Sequence, residues 1–287
     1  MPESMQDIKR RRKSVDSIEH VTNAMKLVSA AKLRRAKATF EKTNEFSHYI
    51  INSIAEVFNN ASEVPEKYLE GTREVKKTCY IIVSSSRGFC GSFNMNIIRE
   101  AEGMMAEDES DSTIIAVGTK AKDYFQKRGF EILKEYSEPP EDISFLESQK
   151  MSRPIIDMYN SGEIDRIVLI YTAFISTLEQ RVQTVTLLPF SIERDPEVMK
   201  YDKPVEYEPS EEEVFNYLVP KYVETSIYAA VVESATCEHA ARRMAMENAT
   251  DNAREMLGDL SLTYNRARQA AITNEILEVV TGAEAQK

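Results

Sequence analysis

Tryptophan is absent, and glycine (9), proline (10) and cysteine (3) are scarce in a chain of 287 residues. So few backbone breakers argue for long helices over a turn-rich all-β fold. Cys79, Cys90 and Cys237 stand far apart, which leaves no disulfide framework and no C-x-x-C metal site. No apolar run approaches the ~18–20 residues that a membrane span requires. The first ten residues lack the apolar core of a secretory signal. They are basic and contain serine, as transit peptides do, but Glu3, Asp7 and Asp16 weigh against one, and a cytosolic address is expected. What is present is 42% hydrophobic and 29% charged residues, enough apolar material for a real core in one or two domains.

Charge is unevenly spread. The net charge is −11, yet Met5 to Lys42 carries eleven bases against four acids. Glu193 to Glu213 runs the other way, with nine acids against three bases. A basic end on an acidic chain suits an acidic partner, either nucleic acid or an acidic protein surface. Little aromatic interleaving and no nucleic-acid signature disfavour the former.

Residues 3–64 contain no glycine or proline. Ile8, Val15, Ile18, Thr22, Met25 and Ser29 recur at helical spacing, and Ser47, Ile50, Ile54, Val57 and Ala61 resume the pattern after an ill-defined middle. So narrow a stripe is a coiled-coil seam. At the other end, Ser210 with Glu213 forms a capping-box pattern that opens a short helical run to about Leu218, and Pro220 suits the first turn of a second helix. That helix, slim with alanine, should run to a stop at Gly282. Neither terminal helix has enough apolar surface to stand alone, so the two are expected to wind together antiparallel.

Between them, residues 75–190 change rhythm. Strands are expected at Cys79–Ser84, Thr113–Val117, Phe130–Leu133 and Arg166–Thr172, with helices at Phe93–Ala106, Thr119–Arg128 and Asp142–Asn160. Alternation of this kind implies a mostly parallel sheet with crossover helices, and the period-two run from Gln180 adds an edge strand. Four segments result: a helix over 1–64, an α/β domain over 75–190, an acidic linker over 191–209 and a helix over 210–287.

The first strand runs into Ser84-Ser-Ser-Arg-Gly-Phe-Cys-Gly-Ser, where an α/β fold can cradle a phosphate. Gly88 and Gly91 do not complete G-x-G-x-x-G, and no lysine follows Gly91, so a tight strand-to-helix turn is the better reading. Arg87 is its one residue suited to a charged partner. Cys90 reads as a buried structural thiol, since His20, His48 and His239 all lie on the long helices. No metal site, cofactor site, catalytic triad or paired carboxylate stands out. A nucleotide-binding enzyme using the Arg87–Gly91 loop and a coiled-coil nucleic-acid binder remain as alternatives.

Three blocks carry a family resemblance. Met5-Gln-Asp-Ile-Lys-Arg-Arg with Val21-Thr-Asn-Ala-Met-Lys-Leu-Val-Ser-Ala-Ala-Lys-Leu-Arg-Arg-Ala resembles the start of the gamma subunit of rotary ATP synthases. Glu238-His-Ala-Ala-Arg-Arg-Met and Tyr264-Asn-Arg-Ala-Arg-Gln-Ala-Ala-Ile-Thr-Asn-Glu-Ile resemble its end, and Ser86-Arg-Gly-Phe-Cys-Gly-Ser-Phe-Asn its central turn, with Ser86 where the family commonly has aspartate. The resemblance implies an antiparallel coiled coil of the terminal helices plus a central Rossmann-like α/β foot with a mostly parallel sheet. It implies a non-catalytic central-stalk rotor without cofactor, inside three alpha and three beta subunits, standing on the c-subunit ring and holding epsilon. It places the chain peripherally on the cytoplasmic face of a bacterial membrane, since the matching block at Met5 leaves no room for a transit peptide, and no inserted cysteine pair of the chloroplast type is present. Arg268, Gln269 and Thr273 fall on the family's cluster that touches a beta-subunit loop, and Met25 and Lys26 on its contact with the acidic lever of beta. Arg87, Gly88 and Gly91 form the foot-domain turn.

Overall fold

The structure is a computed structural model and describes residues 5–61, 64–190 and 207–284. Its two long helices are α1 (Met5–Asn60) and α5 (Glu211–Glu284). Contacts divide the chain into two compact units, Met1–Ala30 with Arg242–Lys287 and Ala31–Ala241. Most of the acidic stretch expected as a linker, residues 191–206, lies outside the described residues.

In the first unit the ends of α1 and α5 pair antiparallel. Thr250 donates to Thr22 at 2.9 Å, Arg254 Nε to Glu19 Oε1 at 2.9 Å, and the Arg12 guanidinium lies 5.8 Å from the Tyr264 ring centre. Residue numbers rise along one helix as they fall along the other, which fixes direction and register together. On α5 the buried and half-buried positions Met246, Thr250, Ala253, Leu257, Leu260, Tyr264, Ala267 and Ala271 alternate three and four residues apart, the spacing of a coiled-coil seam. Ile8, Val15, Thr22, Met25 and Ser29 face inward on α1, whereas Ile18, expected in the seam, is 51% exposed. Glu19, the next residue, takes the seam edge in its place so that its carboxylate meets Arg254.

The second unit is built on a five-stranded sheet. Its elements are β1 (Lys77–Val83), α2 (Phe93–Glu107), β2 (Asp111–Val117), α3 (Thr119–Lys127), β3 (Glu131–Tyr136), α4 (Phe145–Ser161), β4 (Arg166–Phe174) and β5 (Gln180–Leu188). The order is β3-β2-β1-β4-β5; the first four strands are parallel, and β5 closes one edge antiparallel to β4. β1 reads as an unbroken apolar run because both faces are covered. Cys79, Ile81 and Val83 pack with Met151, Ile155 and Tyr159 of α4 and with Phe215, Val219, Val223 and Ile227 of α5. Tyr80 and Ile82 face the other way, toward Ile97 and Ala101 of α2 and Phe125 of α3. Each such apolar side chain contributes roughly 1.5–3 kcal/mol by leaving water.

Local chemistry sets the boundaries. α4 begins later than Asp142, because Ser144 and Glu147 form a capping box: the Glu147 amide donates to Ser144 Oγ at 3.3 Å, and the Ser144 amide to Glu147 Oε2 at 2.6 Å. Pro140–Asp142 is instead a 3-10 turn. At the other end of the strands, Asp108 Oδ2 accepts from Tyr80 Oη and Arg166 Nη2, both at 2.5 Å, and so ties α2 to β1 and β4. Burial alone would raise the Asp108 pKa; the hydrogen bonds from Tyr80, Ser110 and Arg166 outweigh it and hold the carboxyl at about 2.

Three helix expectations need correction. Pro220 does not start a new helix; it sits inside α5, which runs unbroken from Glu211. An interior proline costs ~3 kcal/mol, but Phe215, Val219 and Val223 are buried in the core on either side and hold the helix together. Gly282 does not stop α5, which continues to Glu284. The ill-defined middle of α1 is not a gap either. Leu33, Ala36, Phe40, Thr43 and Ser47 keep the three–four spacing, with Leu33, Thr43 and Ser47 buried. Mixed polarity hides a stripe whose positions are defined by packing.

Candidate interaction surfaces

The turn after β1 is built from its own side chains. The Ser85 amide donates to Asn94 Oδ1 at 3.0 Å, and Ser85 Oγ reaches Asn94 Oδ1 at 2.9 Å and the Arg87 carbonyl at 2.5 Å. Ser86 Oγ donates to the Ser137 carbonyl at 3.0 Å, and Thr119 Oγ1 to the Ser86 carbonyl at 3.1 Å. Ser86 therefore holds its place by a neutral hydrogen bond, needing no carboxylate. Cys90 is buried, with its sulfur accepting from Asn94 Nδ2 at 3.1 Å.

Gly91 takes φ +59°, the left-handed conformation that glycine adopts without strain. Gly88 does not take a positive φ; Phe89 does, at +61°, with its ring 72% exposed. The glycine that governs closeness here is Gly118, which sequence inspection passed over. A Cβ on Gly118 would lie 2.2 Å from the Ser84 carbonyl oxygen, so the turns after β1 and β2 touch backbone to backbone.

In a doubly wound sheet, ligands enter outside the carboxyl ends of the strands where the strand order reverses, here between β1 and β4. At the end of β4 that position is taken up by α5. The Phe174 amide donates to Glu233 Oε1 at 2.8 Å, the Thr172 amide to Ser234 Oγ at 3.2 Å, and Cys237 Sγ lies 3.4 Å from the Thr172 carbonyl. Burial raises the Glu233 pKa despite the backbone bond, and pushes the Cys79 thiol up to about 12. These groups pack α5 against the end of β4 and the sheet. Among the described residues there is no cluster of three or more His, Cys, Asp or Glu that could hold a metal, and no helix long and apolar enough to cross a membrane.

The coiled-coil contacts fall at two levels. Counting along the antiparallel register from Thr22 and Thr250 puts half-buried Met25 and Lys26 opposite Met246 and Glu247. Counting from Arg12 and Tyr264 puts exposed Arg268 level with Ile8. Seventeen helical residues separate the levels, roughly 25 Å at ~1.5 Å per residue. The structure thus brings Arg268, Gln269 and Thr273 together on the last turns of α5 and leaves Met25 and Lys26 apart from them. Arg268 and Gln269 are exposed, and the exposed Thr273 hydroxyl donates to the Gln269 carbonyl at 2.9 Å.

Past Ala271 every described side chain of α5 is exposed, including Ile272, Ile276, Leu277, Val279 and Val280. Sequence reading did not single these out. Their signal is an apolar helical spacing that persists past the level of Met5, where the described part of α1 begins. The basic residues Lys9, Arg10, Arg11, Arg12 and Lys13 are likewise exposed near that end.

The ATP synthase family model matches residues 4–286. A curated relative, the ATP synthase gamma chain of Alkaliphilus metalliredigens, is 42% identical over 287 residues, with 99% of each chain covered. The chain belongs to the ATP synthase gamma family. Two solved structures share the fold of this gamma-family chain, both cryo-EM structures of the Euglena gracilis mitochondrial ATP synthase. One, with OSCP, F1 and c-ring in rotational state 3, aligns with TM-score 0.74 at 19% identity, covering 98% of this chain and 94% of that one. The other, the rotor in rotational state 1, aligns with TM-score 0.69 at 19% identity, covering 93% and 98%.

Proposed function

We propose that this gamma-family chain is the central-stalk rotor of a membrane ATP synthase, coupling ion flow through the c-ring to ATP synthesis and hydrolysis at the beta-subunit sites. It performs no bond chemistry itself. Its partners are three alpha and three beta subunits, epsilon and the c-ring, and its place is peripheral, on the cytoplasmic face of a bacterial membrane. Within it, Met25 and Lys26 form one contact level with the beta subunit, and Arg268, Gln269 and Thr273 another. The turn of Arg87, Gly88 and Gly91 is a structural corner of the foot.

The observation that carries this reading is the bare apolar end of α5 beyond Ala271. A helix end with that much uncovered apolar surface belongs in a socket. The packing of α5 against the end of β4, where a nucleotide-binding sheet keeps a crevice, supports a mechanical role. A helical pair with small residues along its seam suits the passage of torque.

The test is reconstitution. The purified chain alone should hydrolyse no ATP, yet restore coupled activity to an alpha–beta preparation. Turnover by the isolated chain at enzyme-like rates, abolished by Arg87→Ala, would instead establish the nucleotide-enzyme alternative.

A further inference from the structure

Within the unit Ala31–Ala241, a recess of about 270 Å³ opens between α1, the 3-10 turn Pro140–Asp142 and α5. Its floor includes Ala36, Ile143, Val232 and Ala235. One carboxylate spans it. Glu141 Oε1 accepts from Lys32 Nζ of α1 at 2.6 Å, and Glu141 Oε2 lies 3.6 Å from His239 Nε2 of α5. The His239 side chain is only 2% exposed and that of Glu141 18%. Three elements far apart in sequence therefore meet at one carboxyl group. Burial alone would raise the Glu141 pKa, but the Lys32 hydrogen bond and the nearness of His239 outweigh it and hold the carboxyl below the usual range.

We propose that Glu141 is a proton-controlled clasp, holding the 3-10 turn to α1 through Lys32 and to α5 through His239 when that imidazole is protonated. Imidazoles exchange a proton within the range ~5–8. A second proton on His239 turns its contact with Glu141 into an ion pair, shielded from water on the His239 side. The other charged and titratable groups around the recess are Arg35 of α1, Asp142 of the turn and Tyr228 of α5; Glu238 and Arg242 flank His239 along its own helix. Burial of the imidazole and the cations Lys32, Arg35 and Arg242 oppose the second proton, and Glu141, Asp142 and Glu238 favour it. With the Glu141 carboxylate at 3.6 Å outweighing that burial, the α5 arm stabilises the turn at low pH and is lost as pH rises through the imidazole titration, leaving the Lys32 arm alone. In a rotor the clasp stiffens the joint between the sheet and the long helices as the surrounding solution acidifies.

The amides of Asp142 and Ile143, which donate to the carbonyls of Pro139 at 2.9 Å and Pro140 at 3.3 Å, report on the turn. Hydrogen exchange of the segment 139–144 in the assembled ATP synthase, corrected for the intrinsic rate at each pH, reads the clasp without depending on turnover. Protection should rise about fivefold from pH 8 to pH 6 in the native chain, as expected if one added ion pair closes the turn. Glu141→Gln should flatten that profile, and Lys32→Met should lower protection at every pH while leaving the rise intact. A flat native profile, or a rise undiminished in Glu141→Gln, overturns the proposal. If Glu141→Gln does not assemble, His239→Gln decides in its place: a flat profile supports the clasp, and a persistent rise refutes it.

Discussion

Gly118→Ala is expected to abolish folding of the α/β unit, or to lower its stability by about 4 kcal/mol or more, the range reserved for steric and core failures. The added Cβ would stand 2.2 Å from the Ser84 carbonyl oxygen, 2.7 Å from its carbon and 2.9 Å from the Ser85 carbonyl carbon. All three are backbone atoms, and neither turn can step aside. The Ser84 amide and Oγ both bond the Val117 carbonyl, at 2.8 and 3.1 Å, while the Ala121 amide donates to Ser84 Oγ at 3.0 Å. Gly129 is the control, because it shares the positive φ at +82° but has nothing within 4 Å of an added Cβ. Gly129→Ala should cost only the left-handed penalty of about 1–2 kcal/mol. Thermal denaturation of both variants checks the pair; equal losses would mean that φ alone, and not the backbone approach, makes Gly118 necessary.

Arg268→Ala has its expected effect on coupling instead of folding. Arg268 is exposed on the last turns of α5, level with the start of α1, so its removal leaves the isolated chain's helicity nearly unchanged. If it docks onto a beta-subunit loop, its planar fork supplies hydrogen bonds that alanine cannot replace, and ATP-driven ion pumping in the assembled enzyme should fall about tenfold, the scale of one interface anchor. Glu255→Ala, at an exposed position earlier on α5, should stay within about twofold of the native rate, as surface changes away from anchors do. A large loss of helicity in Arg268→Ala would place the residue among those that hold the helix pair together. Native pumping would remove it from the contact surface.

Much of the architecture was legible because its signals are local. The apolar runs at Cys79, Thr113 and Arg166 lie in strands buried on both faces, and the period-two run from Gln180 does form the antiparallel edge. The long stretch without glycine or proline became α1, and the one between Lys221 and Thr281, broken only by Gly258, became most of α5. What escaped is decided at a distance. Pro220 signals a helix start in sequence because proline costs little there, whereas tertiary burial of Phe215, Val219 and Val223 carries the helix through it. The seam between Leu33 and Ser47 was unreadable because leucine, alanine, phenylalanine, threonine and serine share no hydropathy, only a position facing inward. Gly118 gave no sign, since a close approach depends on Ser84 more than thirty residues earlier.

The interaction residues divide in the same way. Arg268, Gln269 and Thr273 stand out by resemblance and share one stretch of helix, so their grouping needs no fold. That Met25 and Lys26 lie at another level follows only from the Thr22–Thr250 and Arg12–Tyr264 pairings, which join residues over two hundred positions apart. The Lys32–Glu141–His239 contact is invisible in sequence for that reason also. Charge patterning singled out the basic end of α1, yet it could not indicate that one half-buried carboxylate receives Lys32.

The antiparallel register of the chain ends sets the two contact levels and the bare end of α5, and one cross-linking measurement addresses it directly. Thr22 and Thr250 are joined by a 2.9 Å contact between their hydroxyls. A Thr22→Cys/Thr250→Cys chain in the assembled enzyme should form an intramolecular disulfide in high yield on mild oxidation, while Thr22→Cys/Ser261→Cys, three helical turns out of register, should form none. Free thiols at 22 and 250, or an equally efficient bridge to position 261, would contradict the paired-helix account.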